Sequence, residues 1–437
     1  MSLFSNSTDP SSPSIFRQIR YTIQADGVQM IIGFVTSILL VRYLGPEGNG
    51  ALTKLTYGGN LLVAIASFQF FRGVPYLAHQ FDSRSVRQWV SLGILFTMLL
   101  AFIFLSIDYF FLHLFTWENS LILNSTILLY LLLNIGQKSL ESYIQVKRAF
   151  DQYWYFQWVA ALVKLILVAG MYFGLRSLSA PHRTLAGILF SLTGYFVLIF
   201  LAGLRFNLSL KFNLPSKEFI TRAFQFAGYI WGITLLSLVL INMNIWYIEN
   251  YLTQDELGVF GLAISLSGVP FAFTLAIKKA LLPYLIEYDR TPSHYLSIIR
   301  LHNFALLLIC ILTGIAGFYL IPLVYGKSFT SASWLLPILL VWTYSNGVFN
   351  LLLSLYEGRN RLKWPFNIML IITLGFYLTS YWLLPDKTIS ILAITYAFWG
   401  VLSMLLILYG TKSFFKISLR ELLKIRISDF NNLKLLW

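Results

Sequence analysis

The residues here with the strongest claim to chemistry are charges standing inside long apolar runs. Arg72 lies in Phe70-Phe71-Arg72-Gly73-Val74-Pro75, and Lys164 in the run from Val159 to Leu167. Lys138 and Glu141 stand three apart between Leu121 and Ile144. A cation at mid-bilayer costs roughly 2.5–3.5 kcal/mol on insertion scales, so it turns to protein, water or an anionic ligand. A guanidinium grips a phosphate with two parallel hydrogen bonds, and an ammonium serves it as a point charge. The plainer alternative for Arg72 and Lys164 is snorkelling to the headgroups. Lys138 and Glu141 share a helix face, where they either neutralise each other or leave Glu141 as a carboxylate linked to a proton or cation. Amides come next: Asn242 and Asn244 precede Ile245-Trp246-Tyr247, and Asn346 and Asn350 accompany Tyr344 and Ser345. Such groups suit sugar hydroxyls, or hydrogen bonds between neighbouring helices. Arg42, where the first apolar run ends, completes the candidate substrate-binding set.

Other chemistry lacks its residues. His79, His113, His182, His294 and His302 fall in loops or at the ends of apolar runs, and none forms a metal-ligand cluster with a second His, Cys or acid. Cys310, the single cysteine, stands in a hydrophobic stretch and reads as a packing residue. No paired carboxylates point to a glycosidase or protease, and no glycine-rich loop points to ATP hydrolysis. The expectation is a protein with no catalytic site, metal or cofactor, driven by something other than ATP.

The elements that must position these groups are set by composition. Of 437 residues, 57% are hydrophobic and only 11% charged, against about 25% charged in a soluble domain. Mean hydropathy is +0.71. A water-soluble enzyme, a disordered chain and a disulfide scaffold are excluded. Runs of about 20 apolar residues, each able to cross ~30 Å of hydrocarbon, recur along the chain. The first six are Ile23–Tyr43, Leu55–Ala78, Trp89–Phe111, Leu121–Ile144, Tyr153–Leu175 and Leu185–Leu204. The second six are Phe226–Tyr251, Gly258–Leu281, Leu301–Tyr325, Ser333–Leu355, Pro365–Leu384 and Ile389–Tyr409. They are continuous rather than alternating, which predicts helices and excludes a barrel.

With the N-terminus placed in the cytoplasm, most Lys and Arg fall in cytoplasmic segments, so both termini are expected inside. The net charge of +14 is then spread over one membrane face, and a nucleic-acid partner is not expected. A Tyr-Leu pair, an acid four residues after the Tyr and a Gly seven after it occur at Tyr43-Leu44-Gly45-Pro46-Glu47 to Gly50. They recur half a chain later at Tyr251-Leu252, Asp255 and Gly258. Tyr143 and Arg148 parallel Tyr356 and Arg361. The expected fold is an all-α integral membrane protein: about twelve transmembrane helices in two parallel six-helix halves around a central cavity. Its parts would be a disordered tail (1–14), an N-terminal half (15–204), a cytoplasmic connector (205–225), a C-terminal half (226–410) and a basic amphipathic tail (411–437) carrying Lys416, Arg420 and Lys424 at four-residue spacing.

Val41-Arg42-Tyr43-Leu44-Gly45-Pro46-Glu47-Gly48-Asn49-Gly50 resembles the exit of the first helix in bacterial oligosaccharide flippases. These are the Wzx-type polysaccharide export proteins of the multidrug/oligosaccharidyl-lipid/polysaccharide superfamily. The segment Ile321 to Ala332 resembles that family's signature between its ninth and tenth helices, and Tyr251 to Ala263 is similar to its seventh-to-eighth segment. The resemblance covers about residues 15–410. It implies a flippase in the inner (cytoplasmic) membrane that moves an undecaprenyl-pyrophosphate-linked oligosaccharide from the cytoplasmic to the periplasmic leaflet for surface polysaccharide synthesis. Implied partners are the lipid-linked glycan, membrane lipids, H+ or Na+ as coupling ion, and other polysaccharide-assembly proteins. Relatives often carry an Asp where Asn244 stands, which puts ion coupling through that helix in doubt. Two alternatives stay open: an ion-coupled small-molecule antiporter of the same superfamily, and a membrane glycan polymerase or ligase. Buried cations disfavour cationic cargo, and the short outer loops disfavour the polymerase.

Overall fold

A computed structural model describes residues 15–68, 83–109, 121–147, 150–175, 177–206, 216–287, 293–382, 388–424, 426 and 429. The regular elements among them are all helical. Continuous apolar runs leave the backbone no hydrogen-bond partner in hydrocarbon other than its own i−4 carbonyls, so each run closes into a helix. In chain order these are α1 (Ile15–Ser67), α2 (Ser83–Ile107), α3 (Leu121–Lys147), α4 (Phe150–Gly174), α5 (Ala180–Phe206) and α6 (Lys217–Tyr251). They continue with α7 (Gln254–Glu287), α8 (Ser293–Tyr325), α9 (Thr330–Gly358), α10 (Lys363–Trp382), α11 (Ile389–Phe415) and the short α12 (Leu419–Leu423). Nine stretches of described helix are long and apolar enough to cross a membrane. The helices α3 and α10 fill two more of the expected spans. The expected tail 1–14 lies outside the described residues.

Two expected spans are joined in α1. Its helical conformation breaks at Gly45, with φ 70° and ψ −178°, where a side chain would be strained. Pro46 follows, with no N–H to donate backwards and a φ already suited to starting a helix. The Gly-Pro pair therefore divides α1 into two arms. On the first arm, Tyr43 donates its hydroxyl to the Leu175 carbonyl at 3.0 Å, tying the arm to the end of α4.

The chain sorts into two compact units, one built on Ile31–Trp246 and the other on Tyr247–Trp437. In the first, Leu55, Leu62 and Val63 of α1, Leu131 and Ile135 of α3 and Ile188 of α5 form a buried core. In the second, α9 is the hub, packed against α7, α8 and α11. Within its apolar window 67% is buried, against 17% for α8. Helix α8 turns Phe304, Leu308, Ile311, Ile315 and Tyr319 outward. Such a face would aggregate in water and is at home in lipid.

Two ion pairs are buried in the second unit. Lys278 of α7 donates to Glu357 Oε1 of α9 at 2.9 Å. Arg300 of α8 pairs with Asp429 near the C-terminus through two nitrogens, with its Nε 2.7 Å from Oδ2. Asp429 also accepts from Ser297 Oγ and the Arg426 N–H, and Arg300 Nη1 donates to the Glu421 carbonyl at 2.8 Å. Lys278 and Arg300 are both buried parts of the packing.

Two outcomes follow. Lys278→Met removes the ammonium from which the buried Glu357 carboxylate accepts and should lower the thermal stability of the detergent-solubilised protein by several degrees, whereas Lys278→Met with Glu357→Leu should recover most of the loss. An additive double variant would show that the pair is not coupled. The Arg300 guanidinium holds the Asp429 carboxyl down to about 2 from an ordinary 3.8. A depressed carboxylate stabilises the fold above its unfolded value and loses that contribution as pH falls toward the folded one. Protease cleavage of the tail in otherwise folded protein should be flat from pH 7 to about 5 and rise below about 4.

Candidate functional site

The polar groups of the first unit converge on one face of α3. Tyr130, Asn134, Gln137 and Glu141 follow at spacings of four, three and four, which stacks them along the helix. Tyr130 and Asn134 are buried, and Gln137 and Glu141 half-buried. Asn60, on the second arm of α1, faces the upper pair. Its Oδ1 accepts from the Tyr130 hydroxyl at 3.0 Å and from Asn134 Nδ2 at 3.0 Å. Asn134 Nδ2 also donates to the Tyr130 oxygen at 3.1 Å. Flipping the Asn134 amide would set two carbonyl oxygens against each other, so the network fixes its orientation. Asn134 Oδ1 then has no described partner. The Tyr130 ring lies against α1 at Gly59, where a Cβ would come within 2.5 Å of it.

Lower on the face, Gln137 Nε2 donates to Glu141 Oε1 at 3.0 Å. From α5, Tyr195 meets Tyr130 edge-to-face at 6.2 Å, and Glu141 is close enough to act electrostatically on the Tyr195 hydroxyl. Lys164 of α4 lies against α5 at the preceding residue, where a Cβ on Gly194 would stand 3.3 Å from Lys164 Cδ. Lys164 as a residue is half-buried, and its ammonium has neither a hydrogen bond nor an ion pair among the described residues. An ammonium without an acid is a site of unspent positive charge.

The remaining sequence candidates separate. Asn242, buried on α6, donates to the Leu238 carbonyl at 2.8 Å and reaches the Tyr57 carbonyl of α1 at 3.3 Å, so it joins helices. Asn244 spends its N–H on Leu240 at 2.9 Å and leaves Oδ1 buried without a described partner. Lys138 is half-buried on α3 and Arg42 is exposed on α1. Asn346 and Asn350 belong to the second unit, where Asn350 Nδ2 donates to both the carbonyl and Oδ1 of Asn346. Arg72 lies outside the described residues.

Two further polar residues are interior. Asp108 is buried just beyond α2. His302 stands well inside α8, because that helix starts at Ser293 rather than near Leu301. Its ring stacks on Phe273, and its nitrogens lie 2.8 Å from Thr274 Oγ1 and 3.1 Å from Asn303 Oδ1. With both nitrogens engaged, it is a packing residue. Tyr130, Asn134 and Asn60 went unread in the sequence; the four-three-four spacing on α3 was the available signal for the first two.

The face on α3 therefore offers amide, phenol and carboxylate groups, and Lys164 on α4 adds an ammonium to the same unit. It can hydrogen-bond hydroxyls and attract an anion. No group of three or more metal-ligating side chains occurs among the described residues. Tyr130→Phe should cost about 1 kcal/mol of stability by removing one donor from Asn60. Combined with Asn134→Ala the losses should be less than additive, because the two side chains share Asn60. Additive losses in a thermal melt would show that the three residues do not form one network.

Residues 15–289, well over half the chain, match the model of a family described as polysaccharide biosynthesis protein. No curated protein matches the chain. Among solved structures, a chain described as protein A superposes with a TM-score of 0.69 at 13% identity, over 95% of this chain and 98% of that one. An inward-facing multidrug resistance MATE family transporter of the MOP superfamily gives 0.60 at 13% identity, over 90% and 98%. The Vibrio cholerae MATE transporter VcmN, as a point mutant, gives 0.56 at 14% identity, over 91% and 96%. At these identities the likeness is one of fold.

Proposed function

Because the chain belongs to the polysaccharide biosynthesis protein family, we propose that it is a flippase for a lipid-linked oligosaccharide. The cargo would be an undecaprenyl-pyrophosphate glycan carried from the cytoplasmic to the periplasmic leaflet of the inner membrane, with both termini of the protein cytoplasmic. Lys164 carries this reading. An ammonium left without an acid inside a membrane-spanning unit costs stability unless an anion answers it, and a pyrophosphate does so. The amides and phenols along α3 supply the neutral donors and acceptors that sugar hydroxyls need. Arg72 is the proposed second anchor, its guanidinium orienting the phosphate while Lys164 adds charge. Glu141, next to the same network, is the proposed site for a coupling proton or cation, and the energy comes from that ion's gradient.

The antiporter alternative shares the fold of the MATE structures. A cation exporter would place its cargo against Lys164, where like charges repel. The two readings part in their substrates rather than in their architecture.

The test is a strain lacking the gene and complemented with variants, scored for lipid-linked glycan in the cytoplasmic-facing leaflet at equal protein level. Lys164→Ala should reduce export by roughly tenfold or more, the scale expected for one charge-assisted contact. Lys164→Arg should keep more activity than the alanine variant, and both should reach the membrane, because losing an unpaired buried cation relieves desolvation. Normal export in Lys164→Ala combined with Arg72→Ala would remove both residues from substrate binding. Normal lipid-linked glycan in the deletion strain would remove the flippase reading altogether.

A further inference from the structure

The described residues beyond α11 pack back onto the helices. Helix α11 ends at Phe415, and Lys416 turns the chain with a left-handed φ of 56°. Ser418 then starts α12 with a reciprocal cap: its hydroxyl accepts from the Glu421 N–H, while the Glu421 carboxylate accepts from the Ser418 N–H and hydroxyl. Ile417 and Leu422 are buried, and Asp429 is fully buried against Arg300 and Ser297 of α8. This inward side fixes which way the other side faces. Lys412, Lys416, Arg420, Lys424 and Arg426 are all exposed. Both acids of the segment are committed, Glu421 to the cap and Asp429 to Arg300. The outward face is therefore a fixed array of five cations.

Its depth is set by α11, an apolar helix long enough to cross the membrane, whose last turn already contains Lys412. Phe414, in the same turn, is 45% exposed. An exposed ring beside Lys and Arg where a spanning helix ends marks the boundary between acyl chains and headgroups. We propose that this folded tail is a docking surface for anionic lipid headgroups, fastened to α8 by the Arg300–Asp429 clasp. Charge complementarity selects phosphate-bearing lipid, since cations at the surface attract anionic headgroups and fall off within a Debye length. Phe414 selects a lipid over a free phosphate, because a ring at the boundary gains from acyl contact. The clasp makes the array rigid, and it carries any pull on the tail to the first turns of α8. None of this depends on what the protein transports.

The experiment titrates purified full-length protein in detergent with short-chain phosphatidylglycerol or phosphatidylcholine. Bound lipid is read by native mass spectrometry, and folding by circular dichroism. Phosphatidylglycerol should bind in preference to phosphatidylcholine and be released by 1 M salt, where screening shortens to about 3 Å. Replacing Lys416, Arg420, Lys424 and Arg426 together by Gln should weaken phosphatidylglycerol binding on the order of a hundredfold, as several-fold per cation predicts. If that variant loses its fold, single Lys416→Gln and Arg420→Gln variants should each show a several-fold loss. Asp429→Asn keeps every surface cation but loosens the array, and should lose several-fold with helicity unchanged. Undiminished phosphatidylglycerol binding in folded charge variants overturns the proposal, as does equal binding of the two lipids by the native protein. Displacement of phosphatidylglycerol by millimolar inorganic phosphate at constant ionic strength would make this a free-anion site and would also overturn it.

Discussion

Hydrocarbon offers a polar group no partner, and the arrangement of this protein follows from that shortage. Hydroxyls inside the helices fold back onto their own turn. Thr36 donates to the Ile32 carbonyl, Thr97 to Gly93, Ser237 to Ile233 and Thr411 to Ile407, at 2.6 to 2.8 Å. These bonds satisfy the hydroxyl without joining one helix to another. The bonds that do cross helices are few and therefore define the packing. Tyr43 reaches the Leu175 carbonyl, Trp231 reaches Ala64 at 2.9 Å, and Thr343 reaches Ser267 at 3.0 Å. Each uses a side chain long enough, or a helix approach close enough, to find a carbonyl on a neighbour.

The same shortage decides how charge is handled. A buried ion pair gives little net stability over an apolar pair of equal volume, but losing one partner is costly. Lys278–Glu357 and Arg300–Asp429 are therefore read best as constraints on arrangement. The first locks α7 to α9, and the second locks the tail to α8. Once Asp429 is committed inward, the tail's Lys and Arg have only the outside to face, and a local ion pair determines the character of a whole surface.

Hydropathy made the helices legible because a span needs only length and apolarity, and both are local properties. The bend in α1 was marked by Gly45-Pro46, where the helical conformation breaks. The buried charge pairs were invisible for a physical reason. Lys278 and Glu357 are 79 positions apart, and Arg300 and Asp429 are 129 apart, so neither partner points to the other in sequence. His302 was misplaced because α8 extends eight residues before the apolar run that announced it. Lys164 and Glu141 could be picked out because a charge in an apolar run is conspicuous by itself. The Asn60–Tyr130–Asn134 network could not, since it is made of unremarkable residues and exists only once α1 and α3 are packed together.

The two units treat positive charge differently. In the second, Lys278 and Arg300 are answered from within, by a carboxylate of the same unit at hydrogen-bonding distance. An added anion would have to displace a carboxylate already in place. In the first, Lys164 has no acid among the described residues, and its stem is held against Gly194 of α5. On the proposed function, an anion arriving there would not have to displace a described carboxylate and would offset the desolvation of the ammonium. On that proposal, the charge that answers an anion lies on α4 of the first unit, and the amides and phenols that answer hydroxyls lie on α3. The proposed pyrophosphate-linked glycan would present these two chemistries together, a compact anion continuous with a neutral polyhydroxylated chain, and each would meet a different helix of the first unit.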